Sequence, residues 1–182
     1  MCFSKIWSWL TGKKDDLTIP HPEEPFDPTK TLENTNINEA LDKWCIDYNV
    51  PISEREYWKT QVEIILVNSL IVIINGVPTE VPAGASDKAG GGRKIEIKPG
   101  YLNSGVIAHE QAHNSYALMN DDEKSEFSAT YTPLKTSNPL IVHLYTVNSY
   151  GLTNDIEGHA ELYRYLHEEM PAELKKYYPR LF

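Results

Sequence analysis

Apolar residues fall into two kinds of spacing along this chain. Ile37, Ala40, Leu41 and Trp44 recur at helical intervals and predict an amphipathic helix ending near Asn49, ahead of Pro51. Ser53 is placed to cap a short helical turn through Tyr57. The pattern then changes. Val62 to Val67 is a β-branched run suited to a strand, and Ile71 to Ile74 and Val77 to Val81 flank Asn75-Gly76, a hairpin signal. Ala83 to Gly92 is small and Gly-rich and predicts a mobile loop. Arg93 to Lys98 alternates charge with isoleucine, as a half-exposed strand does. Helical spacing returns after Pro99-Gly100, from an N-cap at Ser104 to about Met119, with a charged helical turn over Asp121 to Phe127. Pro139 to Val147 reads equally as helix or strand. A helix from about Asn154 to Glu169 is broken by Pro171, which opens a short helix over Ala172 to Tyr178. No internal repeat is present. Strands followed by helices predict an α+β fold, with helices on one side of a small mixed β-sheet.

Upstream of residue 31 the pattern differs. Residues 15–30 hold four prolines among many charges and read as an extended linker. Before it, Phe3, Ile6, Trp7 and Leu10 follow helical spacing. That stripe suits either a membrane-surface anchor or a short helix packed on the domain, the second being the favoured reading. The division expected is an N-terminal segment and linker over residues 1–30 and one domain over residues 31–182.

Composition narrows the function. The 182 residues carry a net charge of −9, which argues against a nucleic-acid partner. Cys2 and Cys45 are the only cysteines, so a transition metal would have to be held by histidine and carboxylate. No apolar stretch reaches the roughly 18–20 residues of a membrane span, and no secretory signal pattern is visible. A cytoplasmic or peripheral location is the default expectation, and a monomer the expected state.

The candidate chemistry lies in His109-Glu110-Gln111-Ala112-His113. Histidines four apart lie on one helix face and can share one Zn²⁺, with the glutamate in reach of the attacking water. A hydrolytic zinc site wants a third protein ligand. The metzincin pattern puts a histidine six residues after the second, preceded by a glycine; residues Asn114 to Met119 contain neither. A carboxylate on a second helix is the alternative, and Glu157 and Glu161 are neighbours one turn apart in Asn154-Asp155-Ile156-Glu157-Gly158-His159-Ala160-Glu161. Either one can ligate while the other orients a ligand histidine. Glu157 also fits a capping box with Asn154, and Glu161 an ordinary pair with Arg164.

Ser149-Tyr150-Gly151, Thr153-Asn154, Glu157, Ala160-Glu161 and Arg164, together with Ile107 to His113, resemble the gluzincin peptidases that include anthrax lethal factor and the clostridial Pro-Pro endopeptidases. The resemblance implies a zincin-like metallopeptidase domain holding one Zn²⁺ per chain. It implies that Glu157 is the third ligand beside His109 and His113, that Tyr150 donates to the oxyanion, and that Glu161 supports the ligands. The residues covering 1–50 are outside it. Gly158 and His159 depart from it, standing where the toxin has two aromatics.

On this reading the chain is a zinc-dependent endopeptidase acting on a peptide or protein substrate, with Glu110 as general base. The substrate-binding residues are left unassigned, although Lys94 to Lys98 is expected as an edge strand along which a peptide aligns. His143, His159 and His167 lack a companion at ligand spacing and read as ordinary, with His159 the nearest to a role in lining the site. The alternative function is a catalytically silent zinc-binding interaction module, attached to a membrane surface through residues 3–10. A zinc hydrolase of non-peptide amides and a structural domain with a chance motif complete the set.

Overall fold

The computed structural model describes residues 36–74 and 76–182, so the stripe over residues 3–10, the linker and Asn75 lie outside the described residues. Two helices open the described chain: α1 (Ile37–Asp47) and α2 (Ile52–Gln61). Asn36 caps α1 by accepting from the N–H groups of Asn38 and Glu39. Ser53 caps nothing: α2 begins at Ile52, behind Pro51, without a side-chain cap.

Five strands follow: β1 (Val62–Leu66), β2 (Ile71–Ile74), β3 (Val77–Glu80), β4 (Ala83–Asp87) and β5 (Arg93–Ile97). β2 and β3 form the expected hairpin, with Gly76 at φ 79°, a conformation that favours glycine. The other three make a mixed sheet in the order β1-β5-β4, with β1 parallel and β4 antiparallel to β5. Two expectations are corrected here. Ala83 to Gly92 is not a loop: Ala83 to Asp87 pairs with Ile97 to Arg93, and only residues 88–92 turn. In consequence Arg93 to Lys98 is the central strand, and β4 takes the edge beside it. The sequence AGASD has little strand preference of its own; its partner imposes the conformation. Ile95 and Ile97 of β5 are fully buried, while Lys94 and Glu96 on the opposite face pair with each other at 2.9 Å.

Helices make up most of the remainder: α3 (Ser104–Leu118), α4 (Asp121–Ser137), α5 (Pro139–Val147), α6 (Asp155–Leu166) and α7 (Ala172–Lys175). The N-cap of α3 is Asn103, which accepts from Val106, and Ser104 is its first helical residue. α4 runs ten residues beyond the charged turn expected at Asp121 to Phe127, started by a capping box between Asn120 and Glu123 and carrying Pro133 within it. Pro139 to Val147 is a helix, capped by Asn138. α6 stops at Leu166 and tightens into a 3₁₀ turn over His167–Glu169, and α7 is shorter than expected. Among the described residues no helix is long and apolar enough to cross a membrane.

α3 is the axis of the fold. Gly105 to Ala112, Asn114 and Ser115 are all buried, so the helix has no solvent face over most of its length. It packs on α6, α1 and β4. Arg93 of β5 donates to Asn114 at 2.8 Å, and Asn114 in turn to Gln111 at 3.0 Å. The C-terminal segment straps the remaining side: Ser115 Oγ donates to the Pro179 carbonyl, and Trp58 Nε1 to that of Arg180, both at 2.9 Å. Burial on every side fixes the rotation of α3, and therefore the direction in which its histidines point.

Candidate metal centre

His109 and His113 lie one turn apart on α3 with their rings edge-on, the Nε2 atoms 3.0 Å from each other. Glu157, in the first turn of α6, brings Oε2 to 3.3 Å from Nε2 of His109 and 3.4 Å from that of His113. Donor atoms about 2.0–2.1 Å from one centre at tetrahedral angles stand about 3.3–3.4 Å apart. The three groups therefore have the spacing of ligands around a single small ion. Their polarity agrees. Glu157 Oε2 is buried and faces both Nε2 atoms. Glu161 Oε1 lies on the Nδ1 side of His109, so Nε2 faces the point that Glu157 and His113 share. Among the described residues, His109, His113 and Glu157 are the group that can hold a metal ion.

Electrostatics support the same conclusion. Burial pulls the His109 imidazole down, but the Glu157 and Glu161 carboxylates outweigh it and push it up to about 9. Burial would likewise raise the Glu157 carboxyl, and the two imidazoles instead hold it well below the usual carboxylate range. A field that grips a proton in this way also attracts a divalent cation.

The capping alternative for Glu157 is half realised. Its backbone N–H donates to Asn154 Oδ1 at 2.9 Å, while its carboxylate turns to the histidines. Glu161 lies on the other side of His109: Oε1 is 2.7 Å from Nδ1, and Arg164 stands behind at 3.6 Å. Glu110 is buried, with one carboxylate oxygen unpartnered. Burial raises its carboxyl most, against the lowering influence of His109, His113 and a hydrogen bond from the Ala85 backbone. That last contact ties the candidate base to the edge strand β4. Tyr150 sits in the 3₁₀ turn before α6, 49% exposed, with its ring 6.1 Å from that of His109.

His159 does not line this centre. It is wholly buried on another side of α6, stacked on Tyr178 at 3.8 Å and donating through Nε2 to the Tyr177 carbonyl at 2.8 Å. Its neighbour Gly158 explains the other departure from the gluzincin pattern. A Cβ at this position would lie 2.6 Å from Cε1 of Tyr131, whose ring fills the space. His143 and His167 stay outside the cluster. Sequence reasoning missed Asn148, which contacts both Glu161 and the Tyr150 backbone. The signal for half of that role was present, since an asparagine two residues before a turn residue marks an Asx turn.

No protein-family model, curated protein or solved structure matches the chain. Geometry and local motif carry the assignment of this centre.

Proposed function

We propose that the chain is a zinc-dependent endopeptidase with a zincin-like catalytic domain. The observation that carries this reading is the convergence of His109, His113 and Glu157 on one point, with Glu110 buried beside it. The ligand set of two imidazoles and one carboxylate suits Zn²⁺, which when bound supplies Lewis acidity toward the scissile carbonyl and the attacking water. Glu110 takes a proton from that water and returns it to the leaving amine. Burial raises its pKa, which makes it a stronger base toward that water. Tyr150 stays protonated and donates to the oxyanion. Glu161 holds His109 in the tautomer that frees Nε2.

The substrate lies along β4 rather than β5. β4 is the outer strand of the sheet, it packs on α3, and its Ala85 backbone reaches Glu110. An extended peptide adding to that edge brings its backbone past the base, and the small side chains of Gly84, Ala85 and Ser86 leave room for those of the substrate.

The test is zinc stoichiometry followed by digestion of a broad peptide library. One zinc per chain and defined cleavage sites are expected. Glu110→Ala is expected to keep the zinc and lose cleavage by at least ~10²-fold. Loss of the metal in that variant overturns the role given to Glu110. A wild-type chain that binds zinc and cleaves no peptide is instead a metal-holding interaction module, for which the placement of Glu110 and Tyr150 has no use.

A further inference from the structure

Asn148 stands between the two halves of the metal centre. Its backbone ends α5, the N–H donating to the Leu144 carbonyl at 2.8 Å. Its side chain does two further things. Nδ2 donates to Oε2 of Glu161. Oδ1 accepts from the backbone N–H of Tyr150 at 3.0 Å, closing an Asx turn. The partners fix the amide's orientation, because the flipped form sets oxygen against a carboxylate and NH₂ against N–H.

Glu161 is 1% exposed, and its other oxygen faces His109 Nδ1 at 2.7 Å. Asn148 thus satisfies the carboxylate oxygen that the histidine leaves over. The Gly151 turn completes the seat, since a Cβ there would come 3.2 Å from Cβ of Glu161 and 2.6 Å from the Tyr145 ring. We propose that Asn148 is a positioning residue that sets two groups together: the His109 ring through Glu161, and the Tyr150 phenol through the turn it closes. It touches neither metal nor substrate. The proposal rests on the metallopeptidase reading and adds to it a coupling between metal affinity and oxyanion stabilisation.

The test is zinc affinity, measured by competition with a chromophoric chelator, beside kcat and KM for a cleaved peptide. Asn148→Ala is expected to bind zinc about 10–100-fold more weakly and, at saturating zinc, to lose kcat with little change in KM. Asn148→Ser separates the arms. Its hydroxyl can accept from the Tyr150 N–H but is too short to reach Glu161, so it loses zinc affinity and keeps most of kcat. In a Glu161→Ala background, Asn148→Ala is expected to weaken zinc no further. Wild-type zinc affinity in Asn148→Ala overturns the proposal, as does an equal loss with and without Glu161. If circular dichroism shows Asn148→Ala to be unfolded, the same comparisons on Asn148→Ser decide. A wild type that holds zinc without cleaving defeats the peptidase reading alone, and unchanged zinc affinity in Asn148→Ala still defeats this one. A wild type that takes up no zinc defeats both.

Discussion

Tyr150 shows how a single side chain is tuned by its surroundings. Burial pushes its phenol up to about 12, and the Glu157 and Glu110 carboxylates push the same way. The group therefore stays protonated across any working pH, which in the proposed mechanism suits a donor and not a base. Tyr150→Phe is expected to lower kcat by ~10²–10³-fold at unchanged zinc content, read from initial rates and metal analysis of one preparation. His167 offers a test of pH dependence away from the centre. Burial among the rings of Tyr48, Tyr163 and Phe182 lowers its pKa. A histidine depressed in the folded state binds its proton more readily when unfolded. Its contribution to stability is complete above the unfolded value of ~6.5 and is lost as pH falls below it. With chelator present, the wild type is expected to lose more of its urea midpoint between pH 7.5 and pH 5.5 than His167→Asn. Equal losses would place the acid sensitivity elsewhere.

At the scale of elements, α6 packs on α3, where Glu157 meets the two histidines, and takes the Tyr131 ring of α4 against Gly158. Gly158 lies under the ring of Tyr131, where a methyl would sit 2.6–2.7 Å from Cε1 and Cζ. Gly158→Ala is expected to destabilise the chain by ~1–3 kcal/mol in urea unfolding, the usual cost of overpacking. A cost near zero would mean that Tyr131 yields freely. Much of this level was legible in the sequence. Strong period and clear turn signals marked α1, β1, the β2–β3 hairpin, α3 and α6. The misses share one cause. β4 has a composition of small residues with no period, and only pairing with β5 makes it a strand. α4 continues to Ser137 because Phe127 and Tyr131 are buried in the aromatic cluster, which a local window does not register.

For the molecule as a whole, the centre joins α3 to α6, so a bound metal couples to global stability. Zinc at 100–1,000 times its Kd is expected to raise unfolding free energy by about 2.7–4.1 kcal/mol. Chelation should remove that gain in a thermal melt, and His113→Ala should abolish it; a melt indifferent to both would exclude a folded-state metal site at these residues. The sequence by itself determined the candidate ligand types and the helices bearing them, because four-residue spacing puts two imidazoles on one helix face whatever surrounds it. Spacing alone left Glu157 and Glu161 interchangeable, since both lie on one face of α6, and only the family resemblance favoured Glu157. Tertiary structure separated them. Packing of α6 on α3 brings Glu157 to the Nε2 side of the histidines and Glu161 to the Nδ1 side of His109. The edge strand, the burial of Glu110 and the place of Asn148 were likewise decided by packing, because each depends on contacts between segments distant along the chain.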